Sequence, residues 1–289
     1  MKVRVKFTKI GSVRFIGHLD LMRFFQKTLR RAKIPMRFSG GYSPHPLMTF
    51  AAPLGIGIES LAEYVDLEMA DEYPVEVFAE AFNAQSVEGI KVLQAKMMPD
   101  HTPNAMSSVA AADYEITLQA DEQPSWIKSE NMHNFVKLKQ AEYKIAMDID
   151  KLTPIEALFK LLEVRIHTLL SQEEIWVTKT QKNEDRRINI RPGILHLEAT
   201  TDCIKIRVDA SSSGSIKPSL VMQALLNSVF TSSSVGANNE ITGINVLAGS
   251  IKTPTDTSDI TKDYAAEDFH YTRLEVYQRT EQDGLISMI

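Results

Sequence analysis

Lys2-Val3-Arg4-Val5-Lys6-Phe7 alternates without a break: Val3, Val5 and Phe7 fall on one side, Lys2, Arg4 and Lys6 on the other. A period of two is the mark of a half-buried β-strand. Gly11-Ser12 interrupts it, and Val13-Arg14-Phe15-Ile16 reads as its continuation beyond a bulge. Gly17-His18-Leu19-Asp20 then opens a helix with an acid in its first turn. Met22, Phe25, Leu29 and Ala32 recur at helical spacing and are expected to face the core, leaving Arg23, Lys27, Arg30 and Arg31 outside; Pro35 stops the helix. A Gly/Pro loop, Ser39-Gly40-Gly41-Tyr42-Ser43-Pro44-His45-Pro46, leads to an extended run from Leu47 to Ala52. Tyr64 to Met69 alternates again, Pro74 opens a helix with an apolar stripe of Val75, Phe78, Ala79 and Phe82, and Ile90 to Met97 closes the unit as a strand.

Strand–helix–strand–strand–helix–strand is the ferredoxin-like order. In it the first and third strands are antiparallel neighbours, helices cover one sheet face and the other stays open. Arg4 and Lys6 are then expected opposite Asp66 and Glu68 on that open face. The rhythm returns further along. Tyr114–Leu118 reads as a strand, with another at Tyr143–Met147. Thr153 caps a helix that starts at Pro154 and runs to about Leu170, and Ile175–Thr180 and Ile188–Glu198 form a strand pair. Cys203–Val208, a helix from Pro218 to Phe230, a strand at Ile241–Ile251 and a strand-like Tyr271–Arg279 follow. The expected fold is α+β, with two ferredoxin-like (βαββαβ) domains in tandem, the second carrying insertions and a C-terminal extension. Residues 1–99 form a basic N-terminal domain and 100–112 a linker. Residues 113–252 form the second domain and 253–289 an extension with a strand.

The 289 residues suit about two domains at roughly 150 residues each. With 44% hydrophobic and 24% charged residues the composition is globular, which excludes disordered and collagen-like classes. No apolar run approaches the ~18 residues of a membrane span, and the N-terminus lacks a signal-peptide core. The expectation is a cytoplasmic protein without a membrane partner. The single Cys203 excludes a disulfide framework or a cysteine-held cluster within this chain, and its place in an apolar strand reads as a buried, inert thiol.

The net charge of −5 hides a split: eleven of the 32 Lys and Arg fall in residues 1–50, against one of the 37 acids, Asp20. Such asymmetry points to an anionic partner at one end. The strand cations have acidic neighbours expected across the sheet, and are discounted as ligands. Arg14, Arg23, Lys27, Arg30 and Arg31 are the phosphate-contacting candidates, although the last-turn cations also suit the helix dipole. Tyr42 in the loop could stack on a base, and His45, between two prolines, could contact a base or serve as a rigid turn residue. His18 and His45 lie among cations and are the candidate bases for metal-independent RNA cleavage, His18 being equally readable as a buried polar residue at the helix start. Lys179, Lys182, Arg186, Arg187 and Arg191 form a second basic cluster, interrupted by Glu184 and Asp185; a solvated hairpin explains it as well. No nucleotide-loop, zinc-protease or paired-cysteine motif is present, so no metal or cofactor is expected on this chain.

Arg14-Phe15-Ile16-Gly17-His18-Leu19-Asp20-Leu21-Met22-Arg23 with Arg30-Arg31-Ala32, and Phe38 through Pro46 continuing to Phe50, Pro53-Leu54-Gly55-Ile56-Gly57 and Glu59-Ser60, resemble a bacterial radical-SAM-linked domain family of unknown function. Ile188-Asn189-Ile190-Arg191-Pro192 is similar to an Asp-x-Arg-Pro stretch of that family, with Asn189 for the acid. Gly214-Ser215-Ile216-Lys217-Pro218 is similar to a Gly…Arg-Pro turn, with Lys217 for the arginine. The resemblance implies a companion of a radical SAM protein, the iron–sulfur cluster and SAM residing on that partner. Together with the charge, it implies a protein that is not catalytic by itself and presents an RNA or ribosome-related substrate through its basic N-terminal domain, with Arg191 as a further contact. A metal-independent endoribonuclease and a protein–protein adaptor are the alternatives.

Overall fold

The computed structural model describes residues 1–118, 152–181, 184–230, 269–280 and 284–289. Strands β1 (Lys2–Lys9), β2 (Met48–Phe50), β3 (Glu59–Glu68) and β4 (Val92–Met98) alternate with helices α1 (His18–Arg31) and α2 (Phe78–Asn83). They pair antiparallel in the order β4-β1-β3-β2. Next come a short helix α3 (Ala105–Ser108), β5 (Val109–Thr117) and helix α4 (Pro154–Leu170). Strands β6 (Trp176–Gln181), β7 (Glu184–Asn189), β8 (Ile194–Ala199) and β9 (Cys203–Asp209) follow, then helix α5 (Pro218–Phe230), β10 (His270–Arg279) and β11 (Leu285–Ser287).

One nine-stranded mixed sheet runs through both halves, in the order β4-β1-β3-β10-β5-β9-β8; β2 pairs with β3 and β11 with β10, and β6–β7 form a separate hairpin. The joint is β10. It pairs parallel with β3 over only Thr272↔Glu59 and Arg273↔Ser60, and antiparallel with β5 along most of its length. The tail strand read as an extension is therefore the central connector. The stretch read as a linker already holds α3 and the start of β5, because Val109, Ala110, Ala111 and Ala112 are all buried and small enough to pack inside the sheet's layers.

Local chemistry explains the elements. In α1, Leu21, Phe25 and Leu29 are buried and Arg23, Lys27, Arg30 and Arg31 exposed, as the helical period requires. Lys33, at a left-handed φ of 54°, ends the chain's helical path ahead of Pro35. Thr153 and Glu156 close a capping box on α4. Residues 11–15 are a 3-10 helix rather than a continuation of β1, since Gly11 turns at φ 67°. Residues 188–198 are not one strand: a 3-10 turn at Arg191–Gly193, forced by Pro192, separates β7, which pairs β6, from β8, which pairs β9. The expected strands at 143–147 and 241–251 lie outside the described residues.

Two cores result. Val3, Val5, Phe7, Leu21, Phe25, Phe78 and Phe82 build the first between sheet and α1–α2. Leu158, Leu161, Leu162, Ile204, Ile206, Val221 and Leu225 anchor the second around α4 and α5. Strand β3 feeds both by alternation: Val65 and Leu67 into the first, Ala62 and Tyr64 into the second.

The face of β1 expected to be open is covered. Arg4 is fully buried, and its guanidinium donates to both Asp66 oxygens at 2.7 and 3.0 Å and to the carbonyls of Pro103 and Met288 at 3.0 and 3.2 Å. The Ala105 N–H donates to the same Asp66 at 2.7 Å. Lys6 lies opposite Tyr64, and its amine reaches Glu275 of β10 at 2.6 Å rather than Glu68. Segments remote in sequence return over that face, which alternation within residues 1–98 cannot foretell.

Candidate functional site

Two regions gather the polar residues singled out above. The first is the outer face of α1 with the 38–47 loop. Lys27 and Arg30 are exposed and have no ion pair among the described residues. Arg23 meets Asp20 at 3.2 Å, but both side chains are about two-thirds exposed, at 69% and 66%. Such a pair contributes about 0–1 kcal/mol and leaves the guanidinium available. Arg31 donates to the Thr28 hydroxyl at 3.0 Å and the Gln85 carbonyl at 2.8 Å, and so anchors α1 to the turn after α2 while remaining exposed. Arg14 does not belong to this face. It is held by Glu59 at 3.1 Å, largely shielded, and stacks over Phe15. Glu59 is further bound by the Gly11 N–H at 2.8 Å and by His270 at 3.4 Å. Burial raises its pKa, but the Gly11, Arg14 and His270 contacts outweigh burial and hold the carboxyl below its ordinary range. Sequence reasoning missed this brace because Glu59 and His270 are far apart in the chain.

The loop is a closed, rigid bend. The Ser39 N–H donates to His45 O and Leu47 N–H to Arg37 O, each at 2.9 Å. The His45 N–H donates to Ser39 Oγ at 3.1 Å, and its Nδ1 meets the same oxygen at 3.0 Å. Gly41, at φ 98°, makes the tip. Tyr42 projects fully into solvent, and Phe38 is 55% exposed. His45 and Pro46 share a shallow pocket with Met22 of α1, so loop and helix are neighbours. His18 is elsewhere in this neighbourhood: its ring packs edge-on against Phe50 at 5.3 Å. The two histidines do not converge on that pocket. Nor is Arg191 part of the site. It donates to the Leu170 carbonyl at 3.2 Å, at the far edge of the sheet. Five strand spacings separate β1 from β8, about 24 Å at ~4.8 Å per strand. Arg187 stacks on Trp176 within the β6–β7 hairpin.

The second region is a cavity of about 770 Å³ at the seam of the two halves. Its walls come from the 51–58 turn, β5, the 210–219 loop and β10. Arg273 is buried here, and donates to Glu63 at 2.9 Å, to the Ala52 carbonyl at 2.9 Å, and twice to the Tyr114 hydroxyl at 3.1 and 3.0 Å. Burial pushes its pKa down, and Glu63 and Tyr114 outweigh that and keep it charged. Of these residues the sequence signalled only the two turns, Pro53–Gly57 and Gly214–Pro218. Arg273, Glu63 and Tyr114 carry no motif.

Cys203 is buried, and burial pushes its thiol pKa up, so it is a poor nucleophile. Among the described residues no group of three or more His, Cys, Asp and Glu is placed to hold a metal, and no helix is long and apolar enough to cross a membrane.

A family model described as "Uncharacterized protein conserved in bacteria (DUF2344)" matches residues 2–218, three quarters of the chain. No curated protein matches.

Proposed function

We propose, for a chain that belongs to the bacterial DUF2344 family, that it is an RNA-binding companion protein, not catalytic by itself, which presents its substrate to a radical SAM enzyme. The observation that carries the RNA reading is the exposed cationic row Arg23, Lys27 and Arg30 on α1, with Asp20 its only ion-pair partner among the described residues, beside a hydrogen-bonded bend that holds Tyr42 in solvent. Arg23 and Arg30 are seven residues apart, about 10 Å along the helix axis, enough to follow a backbone with more than one phosphate. Helix α2 packs against α1 through Phe82, and exposed Glu76 and Glu80 lie on the turn before it and on the helix itself, so the basic surface is a stripe rather than a broad face. A stripe suits a single strand, with Tyr42 as a stacking platform. With one cysteine, these 289 residues cannot by themselves supply three cysteine ligands to an iron–sulfur cluster, so this reading assigns the cluster to the radical SAM partner.

Binding of fluorescently labelled single-stranded RNA, followed by anisotropy over a range of salt, tests the reading. Three cations predict a log–log slope near −2, at about −0.7 per phosphate. The triple variant Arg23→Glu/Lys27→Glu/Arg30→Glu is expected to abolish binding, and Tyr42→Ala to weaken it by about 1–3 kcal/mol. Salt-independent binding, or binding indifferent to the triple variant, refutes it. RNA cleavage in EDTA that is lost in His45→Ala replaces it with the nuclease reading. Affinity capture from native cells, with and without nuclease, distinguishes an RNA-bridged radical SAM partner from a directly docked one.

A further inference from the structure

The seam cavity is large enough for a ligand of ordinary cofactor size, since such sites run from about 300 to 1,000 Å³. Among the described residues that line it, the charged side chains are Lys217 and Arg273; Arg273 is already paired with Glu63, so Lys217 is the cation left to meet a ligand. Lys217 is exposed at the rim, directly before the amino end of α5, a 13-residue helix whose dipole adds positive potential there. Ser211, Ser215 and Ser219 bring hydroxyl donors to the same side.

The lining is otherwise rich in aromatic and aliphatic side chains. Tyr114, Phe269 and Tyr271 place three rings around the cavity, with Ile56 and Ile58 from the facing turn. Tyr114 is 5% exposed, and its hydroxyl oxygen already accepts two N–H bonds from Arg273. Its own proton has no acceptor among the described residues. A ligand oxygen or ring nitrogen in the cavity can accept that proton.

We propose that the seam cavity binds one nucleotide unit, with the phosphate at Lys217 and the start of α5, the flat ring against the aromatic wall, and the Tyr114 hydroxyl donating to it. This goes beyond RNA binding at α1 and does not rest on it. A free mononucleotide and the phosphorylated end of a strand offer the same chemistry.

Isothermal titration of the full chain in chloride buffer, with the four nucleoside monophosphates, the matching nucleosides and inorganic phosphate, tests it. At least one monophosphate is expected to bind at least ten-fold more tightly than its nucleoside and than inorganic phosphate. Lys217→Glu, a surface change checked for folding by circular dichroism, is expected to weaken that binding at least ten-fold. Ser219→Ala weakens it less, and the α1 triple variant leaves it within two-fold. Hydrogen exchange in residues 211–221 slows on binding. Short RNAs with a 5′-phosphate, a 3′-phosphate or neither identify the source: tighter binding of one phosphorylated end assigns a strand terminus, tighter binding of the monomer a free nucleotide. The absence of binding by every monophosphate at millimolar concentration overturns the site. So does inorganic phosphate binding as tightly as the best nucleotide, or affinity unchanged in folded Lys217→Glu.

Discussion

Removing Glu63 should loosen the joint between the two halves. The parallel contact of β10 with β3 spans only two register pairs, so the seam depends on side chains. Arg273 is the chief one. It reaches from β10 to Glu63 on β3, to the Ala52 carbonyl and to Tyr114 on β5, with 4% exposure. Glu63→Ala leaves that guanidinium buried beside a neutral phenol, and stripping one partner from a buried pair costs about 3–5 kcal/mol. Total stability is on the order of 5–15 kcal/mol, so the loss is a large fraction. Tyr114→Phe removes the acceptor of two charge-assisted bonds, about 1.5–3 kcal/mol. The charge-free double variant Glu63→Leu/Arg273→Met should be more stable than Glu63→Ala, because no ion is left stranded. Urea unfolding followed by far-ultraviolet circular dichroism reads this out. A loss of about 3 kcal/mol moves the midpoint by about 1 M for an m-value near 3 kcal/mol/M. If Glu63→Ala lies within about 1 kcal/mol of the parent, Arg273 does not hold the seam and the reasoning fails.

Three further outcomes are expected. The carboxyl pKa of Glu59 is lowered in the folded state by Gly11, Arg14 and His270 despite burial, so its stabilisation is present above the ordinary carboxylate range. That contribution is lost as pH falls through the folded value, so below about pH 5 the parent should lose stability more steeply than Glu59→Gln, as urea midpoints across roughly pH 3–7 would record. Gly89 sits at φ 89° and an added Cβ there overlaps the Ile10 carbonyl oxygen, so Gly89→Ala should cost at least about 1–3 kcal/mol by thermal or urea unfolding; a neutral effect contradicts the geometry. Cys203 should react with a disulfide reagent far more slowly in the native protein than in urea, since burial raises its pKa and covers it; equal rates contradict that.

The sequence alone determined what is local. Alternation located β1 and β3, helical spacing placed Arg23, Lys27 and Arg30 outside on α1, and the Thr153-Pro154 and Pro218 signals started α4 and α5 where they begin. Opposite charges at Arg4 and Asp66 anticipated a pair that the register supplies. Each follows from backbone period or capping, which act over a few residues. Tertiary structure alone decided which strand joins the halves, that Arg14 is engaged by Glu59, that the back of β1 is covered by residues 103–105 and 288, and that Arg191 lies a sheet-width from α1. The seam cavity belongs to the same class, since its walls come from stretches as far apart as Ala51 and Arg273. Long-range pairing is selected by burying whole faces together, and no short window of sequence carries that choice.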